Sequence, residues 1–278
     1  MSPDRSGGLA GASVPVWRTA LSPAATVISA LFASLFLLFL VAPLVGLVGA
    51  GGVAGTRQLF TDGELRSALA LTVLTATTAT LFAVLGGTPL AYLLARRQFG
   101  GRALVSAILD LPLLIPHPVA GIALLLVLGR GSPIGGLLFG AGVRLTGSVF
   151  GIVCAMLFVA APLYVAGARE SFVRVDRRYE AVARTLGDDA WSAFRRVTLP
   201  LSLRGLTASA IVMWARAVSE FGAIVILTYN PKVVSVLSYD RFTTFGLGGA
   251  LPVAAVLVLL AILPLAALRA LRGDDSTA

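Results

Sequence analysis

A chain of 278 residues that is 57% hydrophobic and only 13% charged falls outside the composition of soluble domains, which carry roughly 25% charged residues. Its mean hydropathy of +0.92 points to a membrane protein. The net charge of +9 does not make it a nucleic-acid binder, because such a protein presents a basic face on a soluble fold and these arginines stand between apolar runs.

A membrane-spanning helix needs about 20 predominantly apolar residues, and the chain offers six such runs: 24–48, 67–95, 103–128, 148–168, 205–228 and 247–268. The expectation is an all-α, polytopic helical bundle in a lipid bilayer, with 1–278 as a single transmembrane domain. The first run, of about 25 residues, exceeds the roughly 7–15 of a signal-peptide core and reads as a retained anchor. Run 2 carries Thr72, Thr75, Thr77, Thr78 and Thr80. Threonine hydroxyls can bond to their own helix carbonyls, so these serve packing first, with the lining of a hydrated path as the second reading.

Run 3 contains Asp110, close to the arginine-flanked end and expected to be hydrated, and Pro112, Pro116 and Pro118 around His117. Prolines interrupt helical bonding, and broken backbone is tolerated at membrane depth only where protein or a water-filled cavity covers it. Residues 112–118 are therefore expected on a pore wall or a subunit interface, with His117 as a hydrogen-bonding member. A lone histidine without clustered Cys, His or carboxylates is a poor metal site, so no metal or cofactor is expected. Cys154 in run 4 is the single cysteine and has no disulfide partner in the chain.

Between runs 4 and 5 lies a polar segment, 171–204, containing YEAVARTLGDDAWSAFRRVTLPLS. Asp176 can cap a helix that begins near Arg177, with Glu180 in its first turn. Gly187 fits that helix's end, and Asp188 or Asp189 can cap a second helix bearing Trp191, Phe194 and Val197 on one side. Leu199-Pro200 is expected to stop it before run 5. Such a helix–turn–helix is either a solvated positive loop or a docking element for a partner. In run 5, Arg216 and Glu220 are four residues apart and can pair on one helix face. They form either a self-neutralising pair or part of a path wall, since ionisable groups inside a membrane need a reason.

The arginines orient the set. With the N-terminus inside, fifteen basic residues fall on inner segments and six on outer ones, with Arg216 inside run 5. The positive-inside rule then places both termini and the 171–204 segment in the cytoplasm.

The polar segment resembles the EAA loop of ATP-binding-cassette (ABC) importer permeases, in which Glu-Ala-Ala, three residues, Gly, nine residues, Ile, one residue and Leu-Pro recur. Gly187, Val197, Leu199 and Pro200 match that spacing. Ala181 stands in the glutamate slot with Glu180 one residue earlier, and Val182 and Ala183 fill the alanine slots. The resemblance implies that these eight residues form a coupling helix that docks on ATPase subunits. Two further stretches, LDLPLLIPHPVAGIALLLVLGRGSPIG and ARAVSEFGAIVILTYNPKVVSVLSYDRFTTFGLGGALPVAA, are similar to permeases of molybdate, tungstate and sulfate importers, closest to the molybdate/tungstate branch. This likeness implies a pore made of two copies of this chain, ATPase subunits beneath, and an extracytoplasmic binding protein above. The chain itself is then no enzyme, in keeping with a sequence that lacks a G-x-x-x-x-G-K-[ST] phosphate loop. Arg216, Ser219, Glu220, His117 and Pro116 become the pore or gate candidates, Arg216 supplying positive potential to a dianion. The rivals are a permease for sulfate or another anion, a channel, and a secondary transporter; the last usually shows internal repeats, and no second copy of the 109–128 pattern occurs.

Overall fold

The computed structural model describes residues 23–273, and all regular structure among them is helical. In chain order the elements are α1 (Pro23–Thr61), α2 (Gly63–Arg96), α3 (Arg102–Leu114), α4 (His117–Leu128), α5 (Pro133–Gly140) and α6 (Val149–Arg174). They continue as α7 (Arg177–Thr185), α8 (Ala190–Ala193), a π-helical turn (Phe194–Thr198), α9 (Leu199–Val218), α10 (Gly222–Leu227) and α11 (Val234–Gly273). Arg5 and Arg18, used above for orientation, lie outside the described residues.

Five helices are long and apolar enough to cross a membrane, and the bent pair α3–α4 makes a sixth if counted as one span. The number matches the six runs, but their shapes differ. The first helix continues past residue 48 to Thr61. Run 3 is not one rod: the chain bends by 117° between α3 and α4. Ile115 is extended because Pro116 follows it, and Pro118 sits in the first turn of α4, where its missing N–H costs nothing. Pro112, by contrast, stays inside α3, so of the three prolines Pro116 marks the break. Run 5 is also split, α9 ending at Val218 and α10 starting at Gly222. Run 6 begins earlier than its apolar stretch, at Val234, and kinks at Gly246.

Two compact units divide within α1, Met1–Val45 and Gly46–Ala278. In the first, α1 is apolar all round and exposes Leu31, Phe32, Leu35 and Phe39, the surface of a helix made for lipid. The second unit has its core between α2, α6 and α9. Ala76, Ala79, Ala83 and Ala91 of α2 are buried in one cluster with Ala155, Met156, Val159 and Ala160 of α6 and Met213 and Ala217 of α9. Small side chains bring backbones close where lipid offers no hydrophobic drive. The α2 threonines behave as packing residues: Thr72, Thr75, Thr78 and Thr80 donate to the carbonyls of Ala68, Leu71, Leu74 and Ala76 at 2.7–2.8 Å. Two also tie helices together, Thr72 accepting from the Val234 amide at 2.9 Å and Thr77 from the Trp214 indole at 3.1 Å.

Candidate functional site: the coupling segment and the buried charge cluster

The 171–204 segment folds as two short helices set on the end of the bundle. Asp176 accepts from the Arg178 amide at 2.9 Å and caps α7, and Asp189 accepts from the Ser192 amide at 2.7 Å and caps α8. The hydrogen bond from the Ser192 amide holds the Asp189 carboxyl below its ordinary range. Gly187 takes φ +101, a left-handed conformation open to glycine, and so turns the chain between the helices. One expectation fails here. Leu199-Pro200 does not stop the second helix; α8, the π turn and α9 run on as one helical stretch, Ala190–Val218. The reason is the π turn. The Leu199 amide reaches back five residues to the Phe194 carbonyl, and this wider winding carries the chain past a proline that has no N–H to give.

Glu180 points back into the bundle. Its carboxylate accepts from the Thr198 hydroxyl and, at 3.4 Å, from the Tyr92 hydroxyl, and it lies 3.2 Å from Arg96 Nε at the end of α2. Arg96 also donates to the Val175 carbonyl at 2.9 Å, while Arg177 donates to the Ala95 carbonyl at 3.1 Å. Two guanidiniums thus cross between α2 and the base of the loop. Beside them Tyr92, Phe172 and Phe194 form edge-on ring pairs, with centroids 4.7 Å apart for Tyr92–Phe194 and 5.5 Å for Tyr92–Phe172. Of the other sequence candidates, Ala183 is buried, Val197 and Leu199 are half-buried, and Ala181, Val182, Gly187 and Pro200 are exposed or partly so. The tip is apolar and open: Leu186 is 83% exposed, and Tyr179, Val182 and Trp191 are exposed around it.

The second cluster lies where the two broken spans meet. α4 begins with His117 just after the bend, α10 begins with Gly222 just after the gap in run 5, and a Cβ on Gly222 would come within 2.7 Å of His117 Cβ. Only glycine permits that approach, and it brings three ionisable side chains together. Arg216 Nη2 is 2.8 Å from Glu220 Oε2 and 2.8 Å from each ring nitrogen of His117, while His117 Nδ1 is 3.2 Å from Glu220 Oε2. A tautomer with the proton on Nδ1 donates to Glu220 and leaves Nε2 to accept from Arg216. Glu220 Oε1 accepts from the Ala223 amide at 2.8 Å, and the Glu220 carbonyl accepts from the Ser235 hydroxyl at 2.7 Å. The sequence paired Arg216 with Glu220 correctly; it carried no sign that His117, ninety-nine positions away from Arg216, completes the cluster. Ser219 is exposed, 3.4 Å from Arg216 Nη1, and Pro116 is exposed beside His117. Asp110 is exposed and makes none of the ion pairs among the described residues.

At the opposite end of α2 a third charge group had escaped sequence reasoning. Asp62 and Glu64, at the start of α2, meet Arg241 at 2.5 and 3.3 Å, and Lys232 lies 2.6 Å from Asp240 and 3.4 Å from Glu64. Burial raises the Asp62 carboxyl, but the Arg241 hydrogen bond and the Leu65 and Glu64 amides outweigh it and hold the group below its usual range.

This architecture is shared with known transporters. The family described as binding-protein-dependent transport system inner membrane component matches residues 87–272. The molybdate/tungstate transport system permease protein WtpB of Thermococcus kodakarensis is 41% identical over 201 residues, covering 72% of this chain and 76% of that protein. A probable molybdenum ABC transporter permease protein of Haloferax volcanii is 40% identical over 232 residues, covering 84% and 85%. In fold, the chain is similar to a crystal structure of a bacterial ABC transporter involved in the import of the acidic polysaccharide alginate, at TM-score 0.65 and 18% identity, covering 90% of this chain and 95% of that one. The matched region holds the polar 171–204 segment and the Arg216–Glu220–His117 cluster alike, and the chain belongs to the family of binding-protein-dependent transport system inner membrane components: it is an ABC importer permease.

Proposed function

We propose that two copies of this permease form the pore of an ATP-driven importer for a small oxyanion, molybdate or tungstate. The 171–204 segment and both termini face the cytoplasm, ATPase subunits dock on that segment, and an extracytoplasmic binding protein delivers the anion to the other side. The observation that carries this reading is the two-sided coupling segment. Its base is fixed to α2 and the π turn through Glu180, Arg96 and Thr198, while Val182, Leu186 and Trp191 stand exposed as an apolar tip. A small apolar tip on a charged, anchored base suits a helix-in-groove contact that moves the bundle when its partner moves. The pore or gate elements are Arg216, Ser219, Glu220, His117 and Pro116, where the broken spans meet; intramembrane ionisable groups mark ion paths by default. Identity with molybdate/tungstate permeases near 40% supports the oxyanion class.

The test is ATPase activity of the reconstituted complex of permease, ATPase and binding protein, with molybdate, tungstate and sulfate added in turn. Stimulation by molybdate or tungstate, where sulfate does nothing, is expected. Stimulation by sulfate keeps the architecture and moves the substrate; no stimulation by any of the three refutes the oxyanion reading.

A further inference from the structure

The three members of the buried cluster are unequally open. Glu220 is 1% exposed, Arg216 24% and His117 42%, so the carboxylate lies behind the two nitrogen-bearing groups. A guanidinium carries five N–H donors in a planar fork. In Arg216 only Nη2 is committed, to Glu220 and His117; Nη1 has one long contact of 3.4 Å with Ser219, and Nε makes no bond among the described residues. Nη1 and Nε therefore keep N–H groups on different edges of the fork, each able to donate singly to an oxygen of a tetrahedral anion. The exposed Ser219 hydroxyl beside it donates to the Arg216 carbonyl at 3.0 Å.

We infer that Arg216 forms a transit site for a tetrahedral oxyanion, and that Glu220 keeps this site weak. This rests on the oxyanion reading above. The guanidinium's charge is already matched by a carboxylate 2.8 Å away, so an arriving anion meets the arginine's directional donors without its full attraction. It is oriented and let go. His117 is a positioning residue, holding Nη2 beside the Glu220 carboxylate. Without the carboxylate the logic inverts: a half-buried guanidinium stripped of its counter-charge is unfavourable, and an anion from solution relieves it.

Glu220→Gln separates this from a merely structural pair, because the glutamine oxygen still accepts from the Ala223 amide and the α10 start is kept. Radiolabelled molybdate binding is measured at equilibrium on the permease–ATPase complex in nanodiscs, without binding protein, with sulfate as a second probe. Uptake turnover is measured in proteoliposomes with saturating binding protein. E220Q is expected to bind molybdate at least tenfold more tightly than the parent and to transport it at least tenfold more slowly, and adding Arg216→Ala is expected to abolish the tight binding. Unchanged affinity in E220Q, or tight binding that survives the arginine's removal, overturns the inference. Should E220Q not copurify with the ATPase, Glu220→Asp, with its carboxylate drawn back from Nη2, must shift affinity and turnover in the same directions, and no shift overturns it. Failure of the function reading looks different: the parent complex is then stimulated by no loaded oxyanion, whatever E220Q binds.

Discussion

Glu180 shows how one residue's role is set by what it touches. By sequence it is a first-turn carboxylate of α7, one place ahead of the slot that its family pattern assigns. In the structure it is the counter-charge of Arg96, whose side chain is 7% exposed, and it accepts from Thr198. Glu180→Gln keeps the shape and removes the charge, leaving Arg96 buried beside a neutral amide. An interaction with a charged group contributes about 1.5–3 kcal/mol, and its loss falls on the loop's attachment. Hydrogen exchange across 177–198 should speed up by roughly ten- to a hundredfold while α2 and α6 stay protected. Unchanged exchange in the loop would remove Glu180 from its anchor role.

Among the elements, the turn between α7 and α8 is sensitive to substitution through its backbone. Gly187 occupies φ +101, where a β-branched side chain is a genuine outlier, although nothing lies within 4 Å of a Cβ built there. The penalty of Gly187→Val is thus one of backbone strain, about 1–3 kcal/mol, and it is confined to the loop's tip. Membrane insertion should be normal, with ATPase copurification or transport-coupled hydrolysis falling severalfold; a variant that copurifies and transports like the parent would refute the docking role of this turn. The two broken spans behave differently again. Pro112 is absorbed within α3 while Pro116 ends it, and Pro200 is carried by a π turn. A proline's effect depends on whether the neighbouring carbonyls find other donors, which spacing alone does not reveal.

For the whole molecule, the decisive question is which end of the bundle faces the cytoplasm. Leu186 at the tip of the 171–204 segment and Leu137 on α5 are both highly exposed, so single cysteines at either place report on sidedness once half-buried Cys154 is replaced. A membrane-impermeant maleimide should label Leu137→Cys in intact cells and Leu186→Cys only in inverted vesicles; the reverse pattern would overturn the orientation. Composition and apolar run length sufficed to specify a helical membrane protein with five or six candidate crossings, because lipid leaves a chain few ways to satisfy its backbone. The caps at Asp176 and Asp189, the glycine turn and the Arg216–Glu220 pair were also legible, since each is a contact between near neighbours along the chain. What only the tertiary structure decided was the meeting of distant partners: His117 with Arg216, Glu180 with Arg96, Asp62 and Glu64 with Arg241. Those contacts depend on how α2, α4 and α9 pack and on where two spans break, and helix packing in lipid is governed by close fit rather than by a sequence period.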